Sequence, residues 1–175
     1  MLIREAKESD AADIARLQVD AWRTTYKGIV PDTYIASLAY ERKEQSWRKI
    51  LGSCESDFTF VAETSDEQIV GFASAGEIEE PERDFAGELI AIYLLEDYQC
   101  QGIGKLLVEA VTQRFIQQKV TSMIVWVFTE NPFRAFYESL GGKYVSEKQT
   151  EIGGASLVEV AYGWKNLEIL LESLP

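Results

Sequence analysis

The pattern of apolar and polar residues divides the first third of the chain into one short strand and two helical segments. Residues 2–6 predict a strand, and Ser9 or Asp10 is positioned to cap a helix whose apolar residues continue through Trp22. Glycine and proline soon after it end this helix. A second helical zone is predicted from about Asp32 to Leu51.

An antiparallel hairpin is predicted next. Residues 57–63 and 68–78 both have the composition of strands, and the polar residues 64–67 between them predict a tight turn. The segment 77–84 contains five acidic residues and a proline, which predicts a loop. Such a loop is either a solvated turn or a lip that attracts a cationic amine, and the sequence leaves both open.

The stretch from Glu88 to Leu107 joins an apolar strand to a helix through a glycine-bearing turn. The helical half has apolar residues at the spacing of one buried face, namely Ile103, Leu106, Leu107, Ala110 and Val111. The helix is expected to reach about Lys119, and residues 122–128 predict another buried strand. This order favours neighbouring, nearly parallel strands joined by a right-handed crossover.

The last part of the chain predicts a short helix, a hairpin and a terminal helix. Asn131 is suited to be the N-cap of the short helix, with Pro132 in its first turn, and Gly141 is suited to end it. Its predicted apolar face comprises Phe133, Phe136, Tyr137 and Leu140. The hairpin strands are 143–150 and 155–162, and the terminal helix is 164–174. No repeat or linker interrupts the pattern, so we expect one domain over residues 1–175.

Composition excludes several classes of function. The chain has no histidine, which removes Ser-His-Asp and Cys-His nucleophile systems and makes a zinc site implausible, so we expect no metal. A general base must then be a carboxylate, a tyrosine, a lysine or a chain of waters. The net charge of -12 argues against nucleic acid as a partner and suits a cationic substrate or simply solubility.

Cellular context is also predicted from the sequence. Apolar runs are too short to span a membrane, and the first residues do not form a signal peptide. Cys54 and Cys100 are far apart and have no metal-like spacing. We therefore expect reduced thiols in a cytoplasmic protein.

The turn within Glu88–Leu107 has the chemistry of a phosphate site. A helix that begins directly after a strand leaves backbone N–H groups unpaired, and glycines at 102 and 104 let an anion approach them. Leu107 occupies the third glycine position of G-x-G-x-x-G, and a G-x-x-x-x-G-K-[ST] loop is absent. A purely structural glycine turn is the alternative.

Two motifs make the resemblance to a known family specific. Gln99-x-x-Gly102-x-Gly104 resembles the acyl-CoA-binding motif of the GCN5-related N-acetyltransferases (GNAT family), Q/R-x-x-G-x-G/A. The segment from Asn131 through Tyr137 to Gly142 resembles that family's second cofactor segment, with one residue fewer between Asn131 and Tyr137. The resemblance implies an α/β fold with a mixed, mostly antiparallel sheet of about six to seven strands flanked by helices.

The resemblance also implies acetyl-CoA as cosubstrate and a place for it. The backbone of Ile92, Tyr93 and Leu94 is expected to pair with the pantetheine arm where this strand splays from its neighbour. The loop and first helical turn are expected to hold the pyrophosphate through Gln99, Gln101, Gly102, Ile103, Gly104, Lys105 and Leu106. Asn131 is expected to contact the cofactor as well.

The chemistry implied is direct transfer of an acetyl group to a primary amine through a tetrahedral intermediate. Tyr137 is the candidate acid for the leaving thiolate, although it also fits a purely packed position. Glu88 is the candidate general base, with a water chain or an ordinary strand end as alternatives. Trp22 and Tyr26 are expected on the acceptor side, whereas Trp126 and Phe128 are expected in the core.

Other functions remain open at this point. The acceptor is either a small-molecule amine or a protein amine, and a homodimer is suggested by family habit and the aromatic C-terminal strand. A catalytically silent acyl-CoA-binding or sensing module is the main alternative, and a mononucleotide-binding α/β protein is a weaker one.

Overall fold

The computed structural model describes residues 1–53, 57–82 and 85–174. The strands of this part are β1 (Leu2–Glu5), β2 (Phe58–Glu63), β3 (Ile69–Glu82), β4 (Phe85–Leu94), β5 (Met123–Phe128), β6 (Lys143–Ile152) and β7 (Ala155–Trp164). Its α-helices are α1 (Ala11–Thr25), α2 (Asp32–Ser37), α3 (Tyr40–Gly52), α4 (Ile103–Gln117), α5 (Ala135–Ser139) and α6 (Leu167–Ser173).

The described strands form one seven-stranded sheet in the order β1-β2-β3-β4-β5-β7-β6. Strands β4 and β5 are parallel neighbours joined through α4, and every other neighbouring pair is antiparallel. The predicted mixed, mostly antiparallel sheet and its parallel crossover are therefore confirmed.

Helices cover both faces of the sheet. On one face, α4 buries Val111 and Phe115 against the central strands, and α6 joins the same core through Leu170. On the other face, α1 and α3 pack on β2 and β3, where the ring of Trp47 meets that of Phe72 edge to face at 5.1 Å. The apolar spacing of α4 predicted this buried face, although Leu106 itself is exposed.

The helical zone predicted over 32–51 is two helices. Leu38 and Ala39 between α2 and α3 have extended backbone angles. The end of α1 holds this break in place, because the Arg23 guanidinium donates to the carbonyl of Leu38 at 3.1 Å. Tyr40 then starts α3 and donates its hydroxyl to Asp20 at 2.7 Å. The local spacing of apolar residues cannot predict these long-range contacts.

Asp10 does not cap α1 in the expected way. Its carboxylate accepts from the backbone N–H of Lys7 at 2.7 Å and from the Arg4 guanidinium at 2.7 Å. Arg4 also donates to Glu63 on β2. The aspartate thus ties the entry of α1 to the first two strands, after a single 3-10 turn at Glu8–Asp10.

The predicted acidic loop is wrong where the structure describes it. Strand β3 continues to Glu82, so residues 77–82 belong to the sheet, and residues 83 and 84 lie outside the described residues. Cys54 also lies outside them, while Cys100 is exposed and not in a disulfide. The terminal helix begins at Leu167, because β7 extends through Trp164 and Asn166 caps the helix.

Glycines with positive φ occupy two turns that the sequence predicted, the end of α5 and the last hairpin. Gly141 has φ +76° where α5 ends, and Gly153 and Gly154 have φ +59° and +82° in the β6–β7 turn. These angles favour residues without a Cβ. Across the described ranges, no helix is both long and apolar enough to cross a bilayer. The oligomeric state stays a prediction.

Candidate active site

Strands β4 and β5 separate after a very short paired region. Pairing joins Gly87 to Met123 and Glu88 to Ile124, and it does not continue along the rest of either described strand. The strands then diverge around a cleft of about 340 Å³. The cleft is lined by Ala21, Thr25, Tyr26, Ile90–Leu94, Gln99, Cys100, Gly102, Gly104, Lys105, Val125–Val127, Asn131, Phe133, Phe136 and Tyr137.

An irregularity in β4 coincides with this opening. Opposite β3, Leu89 pairs with Ala75 and Ala91 pairs with Ser74, so β4 has one extra residue at Ile90. A bulge of this kind bends and twists its strand. Ile90 is 50% exposed although it lies in an apolar run, because it faces the cleft and not a neighbouring strand.

The glycine turn lies at the cleft end of β4. Gly102 has φ +83°, and α4 begins at the next residue. The first N–H groups of a helix have no intrahelical acceptor, and the helix dipole adds partial positive charge beside them. Gln99 links the turn to the end of β4, since its side-chain amide donates to the carbonyl of Leu94 at 3.2 Å. Lys105 adds a cation to the cleft wall.

The two glycines of the motif serve different purposes. A Cβ on Gly102 would meet nothing within 4 Å, so its requirement is the positive φ and the open space above it. A Cβ on Gly104 would lie 3.2 Å from the ring of Phe136. Gly104 therefore lets α4 approach the α5 segment closely, a packing role beyond the anion approach that the sequence suggested.

Hydroxyl groups of two tyrosines meet on the α1 side of the cleft. The indole N–H of Trp22 donates to the Tyr93 hydroxyl at 3.0 Å, and the Asn131 side-chain amide donates to the Tyr26 hydroxyl at 3.3 Å. Tyr26 also packs edge to face on Phe128 at 5.3 Å. Trp22 thus holds the Tyr93 hydroxyl without lining the cleft, whereas Tyr26 and Tyr93 both line it.

Burial keeps these phenols protonated. It raises the pKa of Tyr93 well above the ordinary value of 10.0, and the interaction with Tyr26 raises it further. Burial also raises the pKa of Tyr26, with hydrogen bonds from Tyr93 and Asn131 partly opposing the shift. Both side chains are therefore neutral hydroxyl groups at neutral pH.

Tyr137 reaches the cleft from α5. The residue is only 8% exposed, and burial raises the pKa of its phenol far above the ordinary value. Its ring stacks beside Tyr162 at 6.1 Å. Within the described ranges its hydroxyl has no hydrogen-bond partner, although it lines the cleft. Tyr137 is therefore a neutral phenol whose hydroxyl donates to no other described residue.

The turn of the β6–β7 hairpin packs on α2, and α2 packs on the end of α1. A Cβ on Gly153 would lie 2.7 Å from Tyr34, so the hairpin turn packs directly on α2. Tyr34 in turn lies beside Trp22, with ring centroids 6.0 Å apart. Trp22 and Tyr26, with ring centroids 4.7 Å apart, lie together beside this contact, and their expected place on the acceptor side stays a prediction.

The predicted cofactor residues divide into two groups. Those that line the cleft are Ile92, Tyr93, Leu94, Gln99, Gly102, Gly104, Lys105 and Asn131. Three others have side chains directed elsewhere. Gln101 donates to the carbonyl of Asp97 at 2.7 Å, Ile103 is in the core, and Leu106 lines a separate groove with Ile3 and Phe60. The backbone N–H of Leu106 donates to the Gly102 carbonyl at 3.2 Å, so of these three residues only Gln101 and Ile103 can offer a backbone N–H at the glycine turn.

Asn131 occupies a different local structure from the predicted cap. Its side-chain oxygen accepts from the N–H of Phe133 at 2.8 Å, and α5 begins only at Ala135. Phe133 is consequently 43% exposed and lines the cleft, so it does not belong to a buried helical face. An asparagine before proline favours such a local turn, which competes with immediate helix formation.

Glu88 and Trp126 differ from expectation in opposite ways. Glu88 is half-buried in the paired part of β4 and is not one of the residues that line the cleft. Trp126, expected in the core, is half-buried and lines the cleft. Phe128 is buried against Tyr26, as predicted. An indole two residues beyond the last paired position of β5 is uncovered because β4 has already turned away.

Comparison with known proteins identifies the family. Residues 14–142 match the family described as "Acetyltransferase (GNAT) family". The chain is 41% identical to the uncharacterised N-acetyltransferase YuaI of Bacillus subtilis (strain 168), over 96% of this chain and 95% of that protein. It is 24% identical to a spermidine N(1)-acetyltransferase of Thermoplasma acidophilum, over 85% and 97%.

A solved structure shares the fold. The crystal structure of PaiA N-acetyltransferase from Thermoplasma acidophilum in complex with coenzyme A superposes with a TM-score of 0.67 at 21% identity, covering 91% of this chain and 96% of that one. The motifs at Gln99–Gly104 and Asn131–Gly142 lie on two sides of one cleft in this fold. The chain belongs to the GNAT family and is an N-acetyltransferase.

Proposed function

We propose that this enzyme transfers the acetyl group of acetyl-CoA directly to a primary amine of a small molecule. One observation carries the proposal: the β4–β5 cleft runs from the glycine turn at the start of α4 to the hydroxyl-bearing side chain of Tyr137. A single cleft thus offers an anion seat at one position and a proton donor at another. The sequence motifs and the family membership support the same reading.

The cofactor is proposed to complete the interrupted sheet. From Ala91 to Leu94, β4 keeps its partner β3 but has no strand partner towards β5 in the described structure. An extended pantetheine arm can use the unpaired backbone groups as an added strand would. The pyrophosphate would then lie on the N–H groups from Gln101 to Gly104, with the Lys105 side chain as a charged neighbour. The next two N–H groups, of Lys105 and Leu106, already donate to the Gly102 carbonyl.

Reaction begins with attack of the neutral amine nitrogen on the thioester carbonyl. The carbon–nitrogen bond forms, and negative charge develops on the carbonyl oxygen, where a backbone N–H of β4 is proposed to stabilise it. The carbon–sulfur bond then breaks, the electron pair goes to sulfur, and the thiolate takes a proton. The products are an N-acetylated amine and coenzyme A.

Tyr137 is proposed as the donor of that proton. Its hydroxyl has no competing partner among the described residues, and burial holds it in the neutral form. A protonated phenol within the cleft can protect the leaving thiolate as sulfur departs. A role in packing alone would not require the hydroxyl group.

Glu88 is proposed to receive the amine proton through water. It pairs with Ile124 in the parallel register, two residues before Trp126, and therefore shares the face of the sheet on which Trp126 lies. Because Glu88 is not a lining residue, direct contact with the amine is not part of the proposal. The family relative named for spermidine acetylation is compatible with a small amine on this side, but it does not assign one.

A thermal-shift comparison tests the cofactor. Acetyl-CoA, coenzyme A, ATP and NAD would be added at matched concentrations, and a ligand present at about 100 times its dissociation constant should stabilise the fold by about 2.7 kcal/mol. We expect stabilisation by acetyl-CoA and coenzyme A alone. Stabilisation by ATP alone would instead support a mononucleotide-binding protein.

An amine screen tests the transfer. Release of free thiol from acetyl-CoA would be followed with monoamines, diamines and peptides that present lysine or a free N-terminus. We expect turnover with small amines above the rate of hydrolysis. Intact coenzyme A binding without turnover on any amine would contradict the proposed reaction and favour a silent acyl-CoA-binding module.

A further inference from the structure

A lysine of the chain itself occupies an ammonium-binding arrangement beside the cleft. The Lys148 ammonium on β6 lies 3.9 Å from the centroid of the Trp126 ring. It also lies 3.8 Å from a carboxylate oxygen of Glu159 on β7. An aromatic face and a carboxylate that converge on one nitrogen form a recognition site for a primary ammonium.

The position of the Lys148 ammonium borders the side of the cleft that is proposed to bind the acceptor amine. Trp126 lines the cleft, and Glu159 is opposite Phe128 in the sheet register. Glu159 is also close enough to Tyr26 for its charge to add to the effect of burial on that phenol's pKa. The ammonium position therefore lies at the edge of the cleft, among residues that surround the acceptor and not the cofactor phosphates.

The internal lysine is easy to displace. Its side chain is 46% exposed, whereas the Glu159 side chain is 21% exposed. A cation–π contact at such an exposed position contributes little, and the flexible lysine stem can turn into solvent. The backbone at Trp126 and Glu159 belongs to paired strands, and both side chains are less exposed than that of Lys148. A ligand ammonium can thus replace the lysine without rearrangement of the sheet.

We propose that Trp126 and Glu159 form a subsite for a second ammonium group of the acceptor, which makes a small diamine or polyamine the preferred substrate class, with Lys148 as an internal competitor. This inference rests on the proposed acetyl transfer, whose first amine must lose its proton to react. The second amine keeps its charge and replaces the Lys148 ammonium. Selectivity is then set by the distance between the two nitrogens.

Binding measurements on the coenzyme A-saturated protein test the subsite without turnover. Calorimetry would compare putrescine with butylamine, which has the same carbon chain but one amine, for the wild type, Lys148→Met and Glu159→Gln. Lys143→Met and Glu151→Gln are matched controls for charge, since both residues are exposed on β6 away from Trp126. Melting temperatures would confirm that every variant is folded.

The ratio of putrescine to butylamine affinity is the decisive quantity. We expect it to exceed one in the wild type, to rise about two- to fivefold in Lys148→Met, and to fall about fivefold in Glu159→Gln. The control variants should leave the ratio unchanged. A wild-type ratio of one, or a ratio that neither variant moves, would overturn the subsite.

Turnover measured on the same proteins separates the two proposals. Preference for putrescine in binding without acetyl transfer to it would preserve the subsite and reject the proposed reaction. Transfer to both amines with equal kcat/KM, together with equal affinities, would preserve the reaction and reject the subsite.

Discussion

Removal of one oxygen atom separates a chemical role of Tyr137 from a packing role. Tyr137→Phe keeps the ring beside Tyr162 and in contact with the core, so coenzyme A affinity and melting temperature should stay near wild type. Turnover should fall about 100-fold or more, because general acid catalysis commonly contributes that much. Steady-state rates and coenzyme A titrations measure the two effects separately.

Two observations would refine or reject this expectation. Tyr144→Phe, at an exposed tyrosine of β6, is the control and should leave turnover unchanged. Because burial raises the pKa of Tyr137 above its ordinary value of 10.0, loss of the acid form should not reduce kcat at pH values below about 10. Unchanged turnover in Tyr137→Phe would return this residue to the hydrophobic core.

Substitution of Gly102 tests the phosphate seat. Gly102→Glu places bulk and negative charge where the pyrophosphate is proposed to bind, so coenzyme A binding should be lost. The substitution also strains a residue with φ +83°, at a cost of about 1–2 kcal/mol. Gly154→Glu is a matched control, because Gly154 has φ +82° and equally open surroundings in the β6–β7 turn. Retained affinity in Gly102→Glu would mean that the glycine turn is only structural.

The sequence predicted which residues belong to the site better than it predicted where their side chains point. Gly102 was predicted from the strand–turn–helix pattern, Lys105 and Tyr137 from the family resemblance, and all three line the cleft. The resemblance also implied Gln101 and Leu106, but their side chains turn away from the cleft. Trp126 was missed because its exposure depends on where β4 leaves β5, which no pattern within β5 encodes.

The exposure and pairing of whole strands likewise depend on neighbours that are distant in sequence. An apolar run correctly indicated β4, but a run of this kind predicts burial on both sides. The extra residue at Ile90 and the loss of pairing after Glu88 depend on the register with β3 and β5, two strands distant in sequence. Only the family resemblance anticipated the splay. The division of the 32–51 zone into α2 and α3 likewise depends on contacts with α1.

The junction between β1, β2 and the start of α1 depends on the carboxylate of Asp10. Asp10→Asn should lower the free energy of unfolding by about 1–3 kcal/mol, because a nearly buried guanidinium–carboxylate bond is replaced by a weaker one. Urea unfolding near neutral pH measures the loss. Glu44→Gln in the exposed Arg48 pair on α3 is the control, with an expected change below about 0.5 kcal/mol.

The difference in unfolding free energy between the wild type and Asp10→Asn should depend on pH in a defined direction. Burial raises the pKa of Asp10, but hydrogen bonds from Arg4 and the Lys7 backbone outweigh it, and the net pKa lies below 3.8. The unfolded chain therefore takes up this proton at a higher pH than the native protein does. The advantage of Asp10 over Asn is complete above the unfolded pKa and disappears as pH falls through the folded pKa. A stability difference between the two proteins that grew as the pH fell would contradict a stabilising role of the Arg4–Asp10 ion pair.

At the scale of the whole molecule, the two proposed ligands have opposite charges. The chain has a net charge of -12, and Lys105 is the cation that the described cleft lining contains. Coenzyme A is polyanionic, so its phosphates must be held by local backbone N–H groups against a repulsive overall field. A diamine is attracted by that same field and needs little local charge to be concentrated near the cleft.

Salt should therefore act in opposite directions on the two association rates. Between about 0.01 M and 0.15 M ionic strength the screening length falls from about 30 Å to about 8 Å, which removes long-range effects and leaves contacts in the site. We expect the association rate constant of coenzyme A to rise and that of putrescine to fall, each by a few-fold, in stopped-flow measurements. Uncharged pantetheine is the control and should show no salt dependence. A coenzyme A rate that falls with salt would mean that Lys105 and the α4 dipole dominate even at long range, so that the net charge does not govern encounter with the cofactor.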